Sequence, residues 1–265
     1  MSKFSPYSVV TLAFVLCLPT QDLYAIEALG GPSIGYPEAQ RRELISVESS
    51  WEFAAKKVYA ENPKTFYCGC PFVTSEGYQG SVNPVPCGLS AQADTGPNTI
   101  LTWDSVVPPA WYARNMQCWT VGHDACHHSG VPYAGQACCA LLDRDYMLAQ
   151  ADLHNIVPIP LSLNQSKASH PVGIVSAEPR DFGTCNFEVG GYPKRSEPSA
   201  DKRGDVARIW LYMADTYSMK LSLSYRRLLN KWHKTDPIDQ VEKERNSIIR
   251  GLQGQNNSYV EPNHE

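Results

Sequence analysis

Beyond its first 25 residues the chain has no stretch apolar and long enough to form a membrane-spanning helix. It has no internal repeat and no clear linker. A helical membrane protein, a repeat array and a string of tethered modules are therefore excluded as readings. Positive charge is also short. There are 23 Lys/Arg against 27 Asp/Glu, a net charge of −4. Overall composition thus does not supply the broad basic face with which sequence-indifferent nucleic-acid binders hold phosphate. The balance shifts along the chain. Residues 26–193 hold nine Lys/Arg and sixteen Asp/Glu, whereas residues 194–250 hold thirteen and eight. That basic third suits a nucleic-acid contact or a solvated helical face.

The N-terminus has the layout of a secretory signal. Lys3 gives a short positive start, Val9 to Leu18 is apolar, and Leu23-Tyr24-Ala25 ends in a small residue. Cys17 follows Leu16 rather than a small residue, which argues against a lipid anchor. Residues 1–25 are accordingly read as a signal peptide and 26–265 as one domain, exported to the periplasm or beyond. That domain contains Cys68, Cys70, Cys87, Cys118, Cys126, Cys138, Cys139 and Cys185. An even count in an oxidising compartment predicts disulfides, whose pairing the sequence leaves open. His123, Cys126, His127, His128, Cys138 and Cys139 are dense enough to suggest a zinc site, but oxidation makes disulfides the expected outcome.

Residues 27–37 read as a Gly- and Pro-rich lead-in. Leu44, Val47, Trp51, Ala54 and Val58 recur at helical spacing and predict a helix over Glu38 to Ala60, stopped by Pro63. Residues 65–104 alternate short apolar runs with turn signals and predict short strands. Residues 109–145 read as loop-rich, with a short helix over Arg144 to Asn155, and 162–200 as polar and turn-rich. Three more helices are expected, over Arg203 to Tyr217, from Ser222 onward, and over Gln240 to Leu252. The sum is one α+β domain.

Three ordered segments carry a resemblance. They are Lys64-Thr65-Phe66-Tyr67-Cys68-Gly69-Cys70, then Thr102-Trp103-Asp104-Ser105-Val106-Val107-Pro108, then Ala151-Asp152-Leu153-His154-Asn155-Ile156-Val157-Pro158. Phe182-Gly183-Thr184-Cys185 and Arg203-Gly204-Asp205-Val206-Ala207-Arg208 support them downstream. In order and spacing the chain resembles bacterial endonuclease I over most of residues 40–260. The resemblance implies a mixed, disulfide-stabilised α+β fold with a ββα-metal motif. It also implies cleavage of DNA, and often RNA, with little sequence preference and one divalent cation such as Mg²⁺. The family's middle motif usually reads W-E-H-V-V-P. Its histidine takes a proton from the attacking water, and its glutamate holds the metal together with an asparagine of the D-x-H-N segment. A hard cation wants such oxygen ligands, and a neutral imidazole can act as base near neutral pH.

Carried over by position, the glutamate becomes Asp104, the histidine becomes Ser105 and the asparagine becomes Asn155. Asp104 and Asn155 are the expected metal ligands. Asp104 and Ser105 are expected at the end of the strand-rich part, with Asn155 on the following helix. His154 is expected to be structural, because the family has a histidine or tyrosine there without needing it for catalysis. A serine hydroxyl cannot deprotonate water at neutral pH. The family's phosphate-holding arginines are also missing, at Pro97-Asn98-Thr99-Ile100-Leu101 and at Ala134-Gly135-Gln136-Ala137-Cys138. A family Trp-Glu-Cys corresponds roughly to Val241-Glu242-Lys243, a departure that bears on stability rather than chemistry. The other departures predict weak or lost nuclease activity on DNA and RNA. The alternative is a retired scaffold that binds a protein partner in a cell-envelope assembly.

Overall fold

A computed structural model describes residues 46–89, 96–177 and 179–262. The expected signal peptide and the Gly/Pro lead-in lie outside the described residues. So does the first part of the helix expected from Glu38. Its remainder is helix α1, Val47–Phe53, which passes into a π-helical turn at Ala54–Val58. Ser46 caps α1 by accepting a hydrogen bond from the Ser49 amide at 3.0 Å.

Strands β1 (Phe72–Thr74) and β2 (Gly80–Val82) form an antiparallel pair in the region read as short strands. The strands approach so closely at Gly80 that a Cβ there would lie 2.1 Å from the Val73 carbonyl oxygen. Only glycine fits that contact. Strand β3, Leu101–Ser105, follows.

The next stretch, read from the sequence as loops, contains short helices. These are α2 (Pro109–Tyr112), α3 (Gln117–Thr120) and α4 (Gln136–Leu142), followed by α5 (Arg144–Ala151), where a short helix is expected from the sequence. Between α3 and α4 sits a small hairpin of β4 (His127–His128) and β5 (Val131–Pro132). Two disulfides, Cys118–Cys139 and Cys126–Cys138, staple this excursion to itself. The zinc alternative is thereby corrected: both cysteine pairs are consumed as disulfides, and His127 and His128 are exposed. Cys70–Cys87 closes a local loop, and Cys68–Cys185 joins residues 117 positions apart.

Strand β6, Ile156–Pro160, pairs antiparallel with β3 in the register Asp104↔Val157 and Ser105↔Ile156. The chain then enters helix α6, Leu161–Lys167, directly from Pro160. Pro158 and Pro160 cannot donate to a ladder, and β6 tolerates them because its sheet has only two strands. Two antiparallel strands running into a helix are the layout the resemblance implied.

The C-terminal part has a hairpin of β7 (Glu188–Gly190) and β8 (Arg195–Glu197). Helices α7 (Arg203–Thr216), α8 (Leu223–Thr235) and α9 (Gln240–Gln253) come next, close to expectation. Helix α7 is buried nearly all round, with Trp210, Leu211 and Met213 in the core. The buried Arg208 guanidinium lies 2.5 Å from Glu242 and 3.1 Å from Asp205, and it also donates to the Asp236 carbonyl at 2.8 Å. Glu242 therefore ties α9 to α7.

Candidate active site

The strand β3 sequence sets the site. Alternation puts Leu101, Trp103 and Ser105 on one face and Thr102 and Asp104 on the other. Trp103 anchors the strand: its indole N–H donates to the Tyr78 carbonyl at 2.8 Å, and its ring contacts Tyr59 and Phe72. Val106 and Val107 continue the chain into the core with no exposed surface.

Asp104 is buried, and its carboxylate is not open. The Lys167 ammonium, at the end of α6, lies 3.0 Å from Oδ2 and 3.2 Å from Oδ1. The same ammonium donates to the Ser105 carbonyl at 2.9 Å. Lys167 has no exposed surface. Burial pushes the Asp104 carboxyl above the usual carboxylate range, and the Lys167 charge pulls it back down. Lys167 lay in a segment read as polar and turn-rich, so its role was missed. The available signal was the stretch from Leu161 to Lys167 after the Pro158-Ile159-Pro160 stop, enough for one short helix on which Leu163 and Lys167, four residues apart, share a face.

Ser105 is half-buried, and among the described residues its hydroxyl makes no hydrogen bond. It faces away from Asp104 across the strand.

Asn155 is near both residues but differs in setting from the expectation. It sits in the turn before β6 rather than on the following helix, because α5 ends at Ala151. Its amide pairs with one backbone unit: the Val107 N–H donates to Oδ1 at 2.7 Å and Nδ2 donates to the Val107 carbonyl at 3.0 Å. The rest of the D-L-H-N segment is also tied down. Asp152 accepts from Tyr212 and Tyr217 hydroxyls, both at 2.8 Å, and from the Gln253 amide at 2.9 Å. Buried His154 meets the Gln255 carbonyl through Nε2 at 3.0 Å, and burial lowers its pKa to about 4. The imidazole is therefore neutral at pH 7 and hydrogen-bonded inside the fold. Arg245 donates to the carbonyls of Leu153, His154 and Ile156 at 2.8, 3.0 and 3.2 Å.

A second amide occupies the helical position. Asn164 on α6 is half-buried and makes no side-chain hydrogen bond among the described residues. It precedes Lys167 by three residues and so shares its face of the helix.

A divalent cation does not fit the expected donor pair in this arrangement. Asp104 is already compensated by an ammonium, and the Asn155 amide holds the Val107 backbone. No group of three His, Cys, Asp or Glu suited to a metal occurs among the described residues.

Paired strands, the helix that follows them and a carboxylate at their junction place the chain among ββα nuclease-like proteins. The profile of the Endonuclease I family matches residues 48–263, and the chain belongs to that family. The family consists of nucleases, and they are in general divalent-metal-dependent. The chain is 28% identical over 204 residues to "Endonuclease-1" of Buchnera aphidicola subsp. Acyrthosiphon pisum (strain APS), covering 77% of this chain and 76% of that protein. It is 29% identical over 206 residues to the "Periplasmic deoxyribonuclease" of Aeromonas hydrophila, covering 77% and 81%. A shorter match, 29% over 126 residues, joins 37% of this chain to 38% of the "Extracellular ribonuclease" of Bacillus amyloliquefaciens. No helix among the described residues is long and apolar enough to cross a membrane.

Proposed function

We propose that this chain is an exported endonuclease I-like protein that meets nucleic acid but hydrolyses phosphodiesters weakly or not at all. The observation that carries this reading is the Lys167 ammonium seated on Asp104, beside a serine where the family has its base. Loss of a general base alone costs about 10²- to 10⁴-fold in rate. The buried ammonium adds a second obstacle. Mg²⁺ at Asp104 would have to displace a charge held by a carboxylate and a carbonyl at once. Its second oxygen ligand would then come more readily from the free Asn164 amide than from Asn155. Four disulfides and the relatives described as periplasmic and extracellular support an oxidising compartment outside the cytoplasm.

The test is nicking of supercoiled plasmid with Mg²⁺ or Mn²⁺. The mature protein should cut at least about a hundredfold more slowly than an active relative. A triple variant, Asp104→Glu, Ser105→His and Lys167→Met, should recover more activity than the double variant that keeps Lys167. Vigorous metal-dependent cleavage by the unmodified protein would overturn the reading. Absence of nucleic-acid binding as well as cleavage would favour the partner-binding role in a cell-envelope assembly.

A further inference from the structure

Many cations of the basic C-terminal third are used within the fold. Lys202 pairs with Asp205 at 2.7 Å, Arg203 with Glu197 at 2.6 Å, Arg226 with Asp215 at 2.7 Å and Arg250 with Glu261 at 3.3 Å. Arg208 is buried, and half-buried Arg245 donates to backbone carbonyls. Arg195 and Lys220, like Lys194, Arg227, Lys231, Lys234 and Lys243, have no side-chain ion pair or hydrogen bond among the described residues. Both line one open hollow of about 650 Å³, together with Arg114. No carboxylate is among its lining residues, and neither are Asp104, Ser105 and Asn155.

The hollow is built on a fixed platform. Arg114 donates to the Lys220 carbonyl, and its guanidinium lies 5.0 Å over the Trp111 ring. Trp111 stacks on Tyr225 with centroids 5.7 Å apart and meets Trp210 edge-on at 5.1 Å. Arg195 rests on bare backbone. A Cβ on Gly173 would stand 2.6 Å from Arg195 Cδ and 2.8 Å from Nη1. The Gly173 backbone has no positive φ that would itself call for glycine, so the missing side chain leaves room for the arginine. Tyr192 precedes the lining residue Pro193 in the chain and is fully exposed.

Three spaced cations in a lining that holds no carboxylate call for a ligand with several negative charges along its length. Guanidinium and ammonium groups both bind phosphate oxygens, the first by a planar fork and the second as a point charge. A fully exposed tyrosine ring adds a face on which an unpaired base can stack. A duplex keeps its bases stacked inside and cannot use that face. We propose that this hollow is a second, non-catalytic groove for single-stranded nucleic acid, with Arg114, Arg195 and Lys220 on backbone phosphates and Tyr192 under a base. The choice of nucleic acid over other polyanions rests on the endonuclease I reading above.

The experiment is fluorescence anisotropy of the mature, oxidised protein with a labelled oligothymidylate, in EDTA and across a salt series. An Arg195→Ala, Lys220→Ala double variant should bind more than tenfold more weakly at low salt. Its salt slope should be lower by about 1.4, at roughly 0.7 per lost phosphate contact on a single strand. Tyr192→Ala should weaken the single strand about fivefold or more, the range of one base–aromatic stack, and leave duplex binding unchanged. Gly173→Ala keeps every charge but displaces Arg195, so it should reproduce part of the double variant's loss. Circular dichroism separates these effects from misfolding. Oligonucleotide binding that is indifferent to Arg195 and Lys220 overturns the groove and leaves the nuclease-scaffold reading standing. Equal loss of single strand and duplex in Tyr192→Ala overturns the single-strand assignment. If the unmodified protein binds no nucleic acid but binds heparin through Arg195 and Lys220, both the proposed ligand and the reading beneath it fall.

Discussion

Replacing Lys167 by methionine isolates the contribution of the ammonium, because methionine keeps an unbranched apolar stem of similar length. The change leaves the Asp104 carboxylate buried without the opposite charge that, among the described residues, Lys167 supplies through an ion pair and a side-chain hydrogen bond. Removing one partner of a buried pair costs about 3–5 kcal/mol. Lys167 side-chain exposure is 1% and that of Asp104 is 9%, so solvent screening reduces this figure little. The cost depends on pH. Burial already raises the Asp104 carboxyl above its unfolded value, and losing the ammonium raises it further. A carboxyl with a raised folded pKa favours folding below its unfolded pKa and loses that contribution as pH rises through the folded value. The gap between wild type and Lys167→Met should therefore be large at pH 8 and shrink as pH falls towards the unfolded carboxyl range. Urea unfolding at several pH values measures it. The double variant Asp104→Asn, Lys167→Met removes the stranded charge and should regain most of the loss. A gap below about 1 kcal/mol, of the size seen for exposed pairs, or one that does not change with pH, would refute the view that this is a dry, internally neutralised site.

Two further outcomes follow from groups outside the pair. His154 is fully buried with its pKa lowered to about 4 from 6.5, so its contribution to stability is complete above pH 6.5 and is lost as pH falls to about 4. The loss amounts to about 3 kcal/mol at 1.36 kcal/mol per pKa unit, and urea titrations of His154→Gln should show a flatter acid limb than the wild type. Among the disulfides, Cys68–Cys185 closes a loop of 117 positions and Cys126–Cys138 one of 12. By loop entropy, serine substitution of the first pair should cost about 2 kcal/mol more than of the second, which paired denaturation curves will read.

The sequence was informative wherever a single local rule decides structure. Helices α7, α8 and α9 appear where apolar residues recur at helical spacing, and Ser222 caps α8 as its position suggested. Even cysteine numbers and an export signal predicted disulfides, and four are present; which cysteines pair depends on distances that spacing does not encode. Most of the excursion between β3 and β6 reads as loop because α2, α3 and α4 have only four to seven residues, too short for periodicity to emerge. Strand β6 was missed for a different reason. Two prolines in five residues argue against a strand unless one edge is left unpaired, and that is a property of the sheet rather than of the segment.

The same distinction applies at the site. Position in a motif identified Asp104, Ser105 and Asn155, and the fold does bring them to one strand junction. Motif position could not tell that the Asn155 amide faces the Val107 backbone, because a side chain amide serves a turn and a ligand with the same two atoms. Nor could it reveal Lys167, which lies 63 residues from Asp104 and reaches it only because α6 starts without a loop after β6. A lysine there is unremarkable in sequence and decisive in space. Once an ammonium lies on the carboxylate, the fold no longer needs a divalent ion to offset that buried charge.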